Sequence, residues 1–265
     1  MSTLCVQIIA TIGPASAKKE VLVEMAKGGM TIARLNFSWG TREEHHTYLH
    51  AIRAASKEAA IPIRILAALK GPRMQTDSGH TFDKNMPLLT DEDKEMLLFA
   101  CTEGIDFISV PFIKNAKDIE TVRAFITPNA HKPAMIAKIE RREAVENLEE
   151  ILVVADAVLV GRGDLGSAYP LGEIPFIQDE IIATSRTAGK PAIVATEMLL
   201  SMIEKDRPTR AEATDIVHAL VSGASGIVLS EESAVGKHPT LAVKAMADIA
   251  AVACERTGAS ARTAL

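Results

Sequence analysis

The chain has 265 residues, 48% of them hydrophobic, a mean hydropathy of +0.14 and a formal net charge of −5, enough to bury one large core. With 4% aromatics and no block of like charges, it lacks a basic nucleic-acid footprint, a base-stacking surface and a polybasic membrane patch, and no apolar run approaches the ~18 residues of a membrane span. Cys5, Cys101 and Cys254 are far apart and odd in number, and the opening MSTLCVQIIATIG carries no signal-peptide pattern, so the expectation is a cytoplasmic protein without a disulfide framework.

In chain order, eight short apolar runs read as strands: Val6–Ile12, Thr31–Phe37, Arg64–Leu69, Asp106–Phe112, Ala134–Glu140, Ala157–Gly163, Pro191–Thr196 and Gly226–Ser230. IIATI, FISVPF, AVLVG and AIVAT are apolar without strict alternation, the pattern of parallel strands covered on both faces. Between them lie amphipathic stretches. In the penultimate one, Ala213, Ile216, Val217, Leu220 and Val221 recur at helical spacing, and Thr209 with Glu212 forms a capping-box pattern. Gly28-Gly29, Gly104, Gly189 and Gly223 fall near helix ends, and Asp77–Leu88 is the least periodic segment and reads as a surface loop. Alternating strands and helices imply a parallel sheet. Eight units in about 250 residues favour a TIM (β/α)8 barrel filling residues 1–265 as one domain, because no GxGxxG turn marks an open doubly wound sheet.

A barrel places its chemistry at the C-terminal ends of its strands, and the unusual polar residues lie there. The second strand ends in Arg34, Asn36 and Ser38. The third is followed by Lys70, Gly71, Pro72 and Arg73, and the fifth ends in Lys138 and Glu140. The sixth runs into Gly161-Arg162-Gly163-Asp164, the seventh ends in Thr196 and Glu197, and the eighth in Ser230, Glu231 and Glu232. A charge in an apolar strand costs several kcal/mol, in order of magnitude, unless it is paired or metal-bound. Glu140 and Asp164, hard carboxylates from adjacent strands, suit Mg²⁺ or Mn²⁺. Lys138 shares the face of Glu140, where a lysine and a metal together would stabilise an enolate or a phosphoryl oxygen. The structural alternative is a buried lysine–carboxylate network tying the barrel top. Arg34 reads equally as an anion contact or a rim ion pair, and the Thr196 hydroxyl as a group bonded to backbone. His45, His46 and His50 share one helix. The 46/50 pair has metal-compatible spacing, but a solvated helix face is the simpler reading.

The segments IIATIGPAS, ARLNFSWG, LKGP, AKIE, GRGDLG, ATEML, DRPTRAE and VLSEESAVGKHP stand in one order across residues 6 to 255, and together they resemble the signature segments of the pyruvate kinase family. The resemblance implies that Lys138 stabilises the enolate and contacts the transferring phosphoryl group, and that Glu140 and Asp164 hold the divalent metal. It further implies that the Gly163 and Asp164 amides meet the substrate carboxylate, with Thr196 beside it near the face where carbon 3 is protonated. Arg34 would contact the phosphate, with Lys70 and Arg73 completing the substrate-binding set.

This sequence also departs from the family pattern. Only the short Asp77–Leu88 segment stands where the family inserts a lid domain, and the C-terminal regulatory domain is not expected. Trp39 replaces a histidine near the nucleotide, Ala68 removes a carboxylate that helps bind a monovalent cation, and Gln75 removes an arginine near the transferred phosphate. Pro111 replaces a serine and Glu231 a glycine, while Arg73 brings a guanidinium to the cation position. The losses fall on the nucleotide and phosphoryl-transfer side. The expectation is therefore metal-assisted enolate chemistry on a 2-oxo acid, such as decarboxylation of oxaloacetate, an aldol-type lyase or a tautomerase. A minimal pyruvate kinase acting on phosphoenolpyruvate and a non-catalytic metabolite-binding barrel are the alternatives. Partners are a small-molecule substrate, no nucleic acid and no membrane, with self-association left open.

Overall fold

A computed structural model describes residues 6–76, 79–82 and 86–257. The barrel strands are β1 (Gln7–Thr11), β2 (Ile32–Asn36) and β3 (Arg64–Ala68). A hairpin, β4 (Arg73–Thr76) and β5 (Gly79–Phe82), comes next, followed by β6 (Phe107–Val110), β7 (Ala134–Ile139), β8 (Ala157–Gly161), β9 (Ala192–Ala195) and β10 (Gly226–Leu229). All eight barrel strands are parallel and close in the order β1-β10-β9-β8-β7-β6-β3-β2. This is the expected TIM barrel, each strand lying within its predicted run.

The unalternating apolarity has a direct cause, because each strand buries both faces. Ile9, Ile32, Leu66, Phe107, Ile136, Leu159, Ile193 and Val228 point inward and fill the barrel. Ile8, Leu35, Ile65, Ile108, Val160 and Leu229 point outward beneath the helices. With side chains alternating along each strand, the inward positions one step toward the C-terminal ends are Thr11, Arg34, Ala68, Ser109 and Lys138. Below the apolar layer, Arg64 donates to Gln7 Oε1 at 2.9 Å and covers the Phe107 ring. The polar residues are thus confined to the two ends of a packed interior.

The helix Arg210–Ser222 starts with the anticipated reciprocal cap, Thr209 Oγ1 accepting from Glu212 N and the Glu212 carboxylate accepting from Thr209 N. Ile216, Ala219 and Leu220 are buried there, but Val221 is exposed, so the apolar stripe is narrower than its spacing suggested. The expected Asp77–Leu88 surface loop is corrected in part, its residues 77–78 and 83–85 lying outside the described ones. Gly79–Phe82 pairs antiparallel with Arg73–Thr76, so β4 and β5 form a small hairpin between β3 and the helix Asp91–Thr102. Cys101 is buried and free, whereas Cys254 is disulfide-bonded, a link that three scattered cysteines did not suggest, though it is not a disulfide framework. No helix among the described residues is long and apolar enough to cross a membrane.

Candidate active site at the barrel mouth

Two charges stand at the end of β7. Lys138 and Glu140 are both buried, and Lys138 Nζ pairs with Glu140 Oε1. The second carboxylate oxygen accepts from Phe112 N at 3.2 Å. Phe112 has a φ of +54°, a conformation uncommon for an aromatic residue, and the turn after β6 directs its amide at Glu140. Room for this carboxylate comes from Gly161 at the end of β8, where an added Cβ would lie 2.6 Å from Glu140 Cγ.

Beyond Gly161 the chain enters a single helical turn, Arg162–Leu165. Gly163 and Asp164 lie in that first turn, where amides have no intrahelical acceptor. Arg73, at the start of the hairpin, reaches across to Asp164, with Nη2 3.3 Å from Oδ2, and its guanidinium lies 5.4 Å from the centroid of the Phe112 ring. The tight turn leading to Arg73 passes through Gly71, whose φ is +63° and whose Cβ position would be 2.7 Å from Pro111 Cγ, so a larger residue is excluded twice over.

Arg34 rises from β2. Its Nη1 donates to Thr11 Oγ1 at 2.8 Å, and that hydroxyl donates to Leu229 O at 2.8 Å. Burial pushes the guanidinium down to about 10, opposed by Glu231, Glu140 and Glu232 and reinforced by the positive Arg73. Arg34 therefore remains a cation at neutral pH, facing both the Glu140 and the Arg73 side of the mouth.

Thr196 follows β9 with a φ of +81°, and Glu197 has +57°. Two successive left-handed residues that are not glycine store strain, on the order of 1–3 kcal/mol each. Arg162 holds this turn: Nε donates to Thr196 O at 3.2 Å, Nη2 also contacts Met198 Sδ at 2.9 Å, and Nη1 pairs with Asp215 at 2.7 Å. An added Cβ on Gly163 would lie 3.1 Å from Thr196 Cγ2, so the strained turn packs directly against the Gly163 backbone. Glu232 accepts from Leu199 N at 3.1 Å and Ser230 N at 2.6 Å, tying β10 to the loop after β9, and burial raises its pKa.

The predicted site residues thus largely converge. Lys138 with Glu140, Arg73 with Asp164, and Thr196 with Gly163 are in contact, and Arg34 senses the Glu140 and Arg73 charges. Lys70 is placed differently: its ammonium pairs with Glu92 at 2.8 Å on the next helix, while the Lys70 and Gly71 amides donate to the buried Asp93. Sequence reasoning named Arg162 without a role and missed Asp93, Asp215 and the Phe112 turn. The one local signal was Thr90 three residues before Asp93, a capping pattern whose acid also braces the 70–71 loop.

Glu140 and Asp164 are hard oxygen donors from adjacent strands, Glu140 beside Lys138 and Asp164 beside Arg73. That donor set fits a small divalent metal, whose charge would compete with Lys138 and Arg73 for the same oxygens.

The family model for the pyruvate kinase barrel domain matches residues 4–88 and 79–243. The chain is 33% identical to the pyruvate kinase of Geobacillus stearothermophilus, over 92% of this chain and 56% of the relative. It is 30% identical to pyruvate kinase 2 of Synechocystis over the same shares, and 31% identical to the Mycobacterium intracellulare pyruvate kinase over 92% and 69%. The chain therefore spans about half to two thirds of the length of these relatives. The Geobacillus alignment covers 328 positions, whereas 92% of this chain is about 244 residues, so about 84 positions belong to the relative alone. The family match divides at residues 79–88, within and just after the hairpin.

Proposed function

Because the chain belongs to the pyruvate kinase family, we propose that its barrel mouth binds phosphoenolpyruvate with Mg²⁺ or Mn²⁺ and passes the phosphoryl group to ADP, leaving an enolate that becomes pyruvate. The observation that carries this reading is the buried Lys138–Glu140 pair beside Asp164. Glu140 and Asp164 would hold the metal, which supplies positive charge to the substrate oxygens. Lys138 would then turn from Glu140 to the oxygen on which negative charge develops, in a site where burial makes that interaction strong. Arg34, kept cationic, would bind the phosphate. Arg73 would supply a fixed positive charge where Ala68 leaves no carboxylate to bind a monovalent cation. The first-turn amides of Gly163 and Asp164 would receive the substrate carboxylate, with Thr196 beside them. Lys70, for this role, would have to leave Glu92. We take residues 1–265 as one barrel domain working on small molecules.

One observation favours a second reading. The family match divides at the hairpin, the Geobacillus alignment carries about 84 positions with no counterpart in this chain, and phosphoryl transfer depends on positioning and on excluding water. Without cover, the enolate half of the reaction could operate alone, as in oxaloacetate decarboxylation or pyruvate tautomerisation. The test is direct. With phosphoenolpyruvate, ADP, Mg²⁺ and K⁺, the protein should form ATP at about 10 s⁻¹, the middle of the enzyme range. ATP formation at background rates, with metal-dependent exchange of pyruvate methyl protons in D₂O, would replace the first reading by the second. Neither activity would leave a binding barrel.

A further inference from the structure

On the outer layer of the barrel the helix Arg42–Ala59 carries a pair of imidazoles that the mouth does not use. His46 and His50 lie one turn apart, with their Nε2 atoms 3.3 Å apart and their ring centroids separated by 4.4 Å. Zinc–nitrogen bonds are about 2.0–2.1 Å in tetrahedral sites, which sets two imidazole nitrogens on one ion about 3.4 Å apart. The two nitrogens therefore already stand at chelating separation. A carboxylate is near as well: Glu103, at the end of the helix Asp91–Thr102, has Oε1 3.6 Å from His46 Nε2. Its other oxygen is held by Arg53 Nη1 at 3.1 Å, which fixes its position. The neighbouring His45 takes no part, being buried with Nε2 on Trp39 O at 2.9 Å. Among the described residues no three such side chains already enclose one point, so an ion here would rest first on the two imidazoles.

We propose that His46 and His50 chelate a borderline-soft divalent ion, Zn²⁺ or Ni²⁺, with Glu103 as a third ligand and water completing the shell. Neutral imidazoles prefer these ions to Mg²⁺, which keeps this site chemically distinct from the carboxylates at the mouth. A bound ion would tie the helix Arg42–Ala59 to the end of the helix Asp91–Thr102, and so add stability by mass action. The experiment is isothermal titration of Zn²⁺ into the whole protein with Mg²⁺ in excess, repeated with His46→Asn, His50→Asn, the double variant and Glu103→Gln. The expected result is one ion per chain, weakened on the order of tenfold or more by either histidine change and less by Glu103→Gln. Zn²⁺ should also raise the melting temperature of the parent and not of the double variant. Both histidines are exposed, so these variants should fold normally. No Zn²⁺ binding by the parent, or equal affinity in the double variant, overturns the proposal.

Discussion

The two sides of the barrel mouth are built differently. On the β7–β9 side, Lys138 and Glu140 are paired and nearly closed off from solvent, Gly161 is shaped around Glu140, and Arg162 pins a strained Thr196–Glu197 turn. On the β2–β3 side, Trp39 is 60% exposed, Lys70 turns away to Glu92, and Ala68 leaves no carboxylate beside Ser109. Burying charge is costly, so the first side must be satisfied in one arrangement and is preorganised by that necessity. On the second side Arg34 and the buried Asp93 are held, but the Trp39 and Lys70 side chains carry no such constraint. The same division separates the enolate chemistry from the nucleotide chemistry in the proposed reaction.

The largest effect should come from breaking the preorganised side at its centre. Lys138→Met removes the cation facing the developing charge, and kcat should fall by about 10²–10³-fold, as when one oxyanion donor is lost. The same change strands Glu140, and a buried charge without its partner costs on the order of 3–5 kcal/mol of stability. Denaturant melts of Lys138→Met and of the Lys138→Met/Glu140→Gln double variant separate the two effects. Stability should return in the double variant, and turnover should not. Turnover that returns with stability would mean the pair only ties the barrel top.

A smaller effect should follow from crowding the carboxylate without touching it. In Gly161→Ala the new methyl would lie 2.6 Å from Glu140 Cγ, displacing the oxygens proposed to hold metal. Mn²⁺ affinity should drop about 10–100-fold, the range for changes that misorient a ligand. Gly172→Ala, where an added Cβ meets nothing within 4 Å, is the control. Equal Mn²⁺ binding in both variants would take Glu140 out of the metal site.

What the sequence disclosed follows the same contrast. Strand positions were legible because both faces of every strand are apolar, and the inward polar positions were legible because i and i+2 share a face. The Lys138–Glu140 contact needed only that rule. The Arg162–Asp215 pair spans 53 residues, and no local pattern announces which acid an arginine will meet at that range. The hairpin was missed because Arg73–Phe82 has no apolar alternation, and its one turn signal, Ser78-Gly79, fits a loop as well as a hairpin. Lys70 was misplaced because its side chain answers to Glu92, a helix residue 22 positions later.

Strain offers a gentler probe of the same side. Glu197 is exposed with a φ of +57°, a conformation glycine adopts without penalty. Glu197→Gly should therefore leave stability unchanged or raise it by up to about 1 kcal/mol, since relief of strain competes with the added freedom of the unfolded chain. If the Arg162 clamp sets the Thr196 geometry by itself, phosphoenolpyruvate KM should stay the same. A marked rise in KM would show that the strain at Glu197 is part of how Thr196 is placed.

The smallest structural effect belongs to Trp39, and it carries the sharpest test of the other side. Trp39 is the only tryptophan in the chain and lies 60% exposed just after β2. Its backbone carbonyl, not its indole, is what His45 holds. Trp39→Ala should accordingly change stability within about 0.5 kcal/mol, as for surface substitutions away from special features. Its fluorescence reports on the β2–β3 side alone. Mg²⁺ with oxalate, an enolpyruvate mimic, should bind at Lys138, Glu140 and Asp164 and leave the emission nearly unchanged. ADP should shift or quench it if the nucleotide docks where the proposed phosphoryl transfer requires. An emission that ignores ADP at millimolar concentration, in protein whose oxalate binding is intact, would mean that the exposed half of the mouth receives no nucleotide, leaving enolate chemistry as the reaction the buried half can still perform.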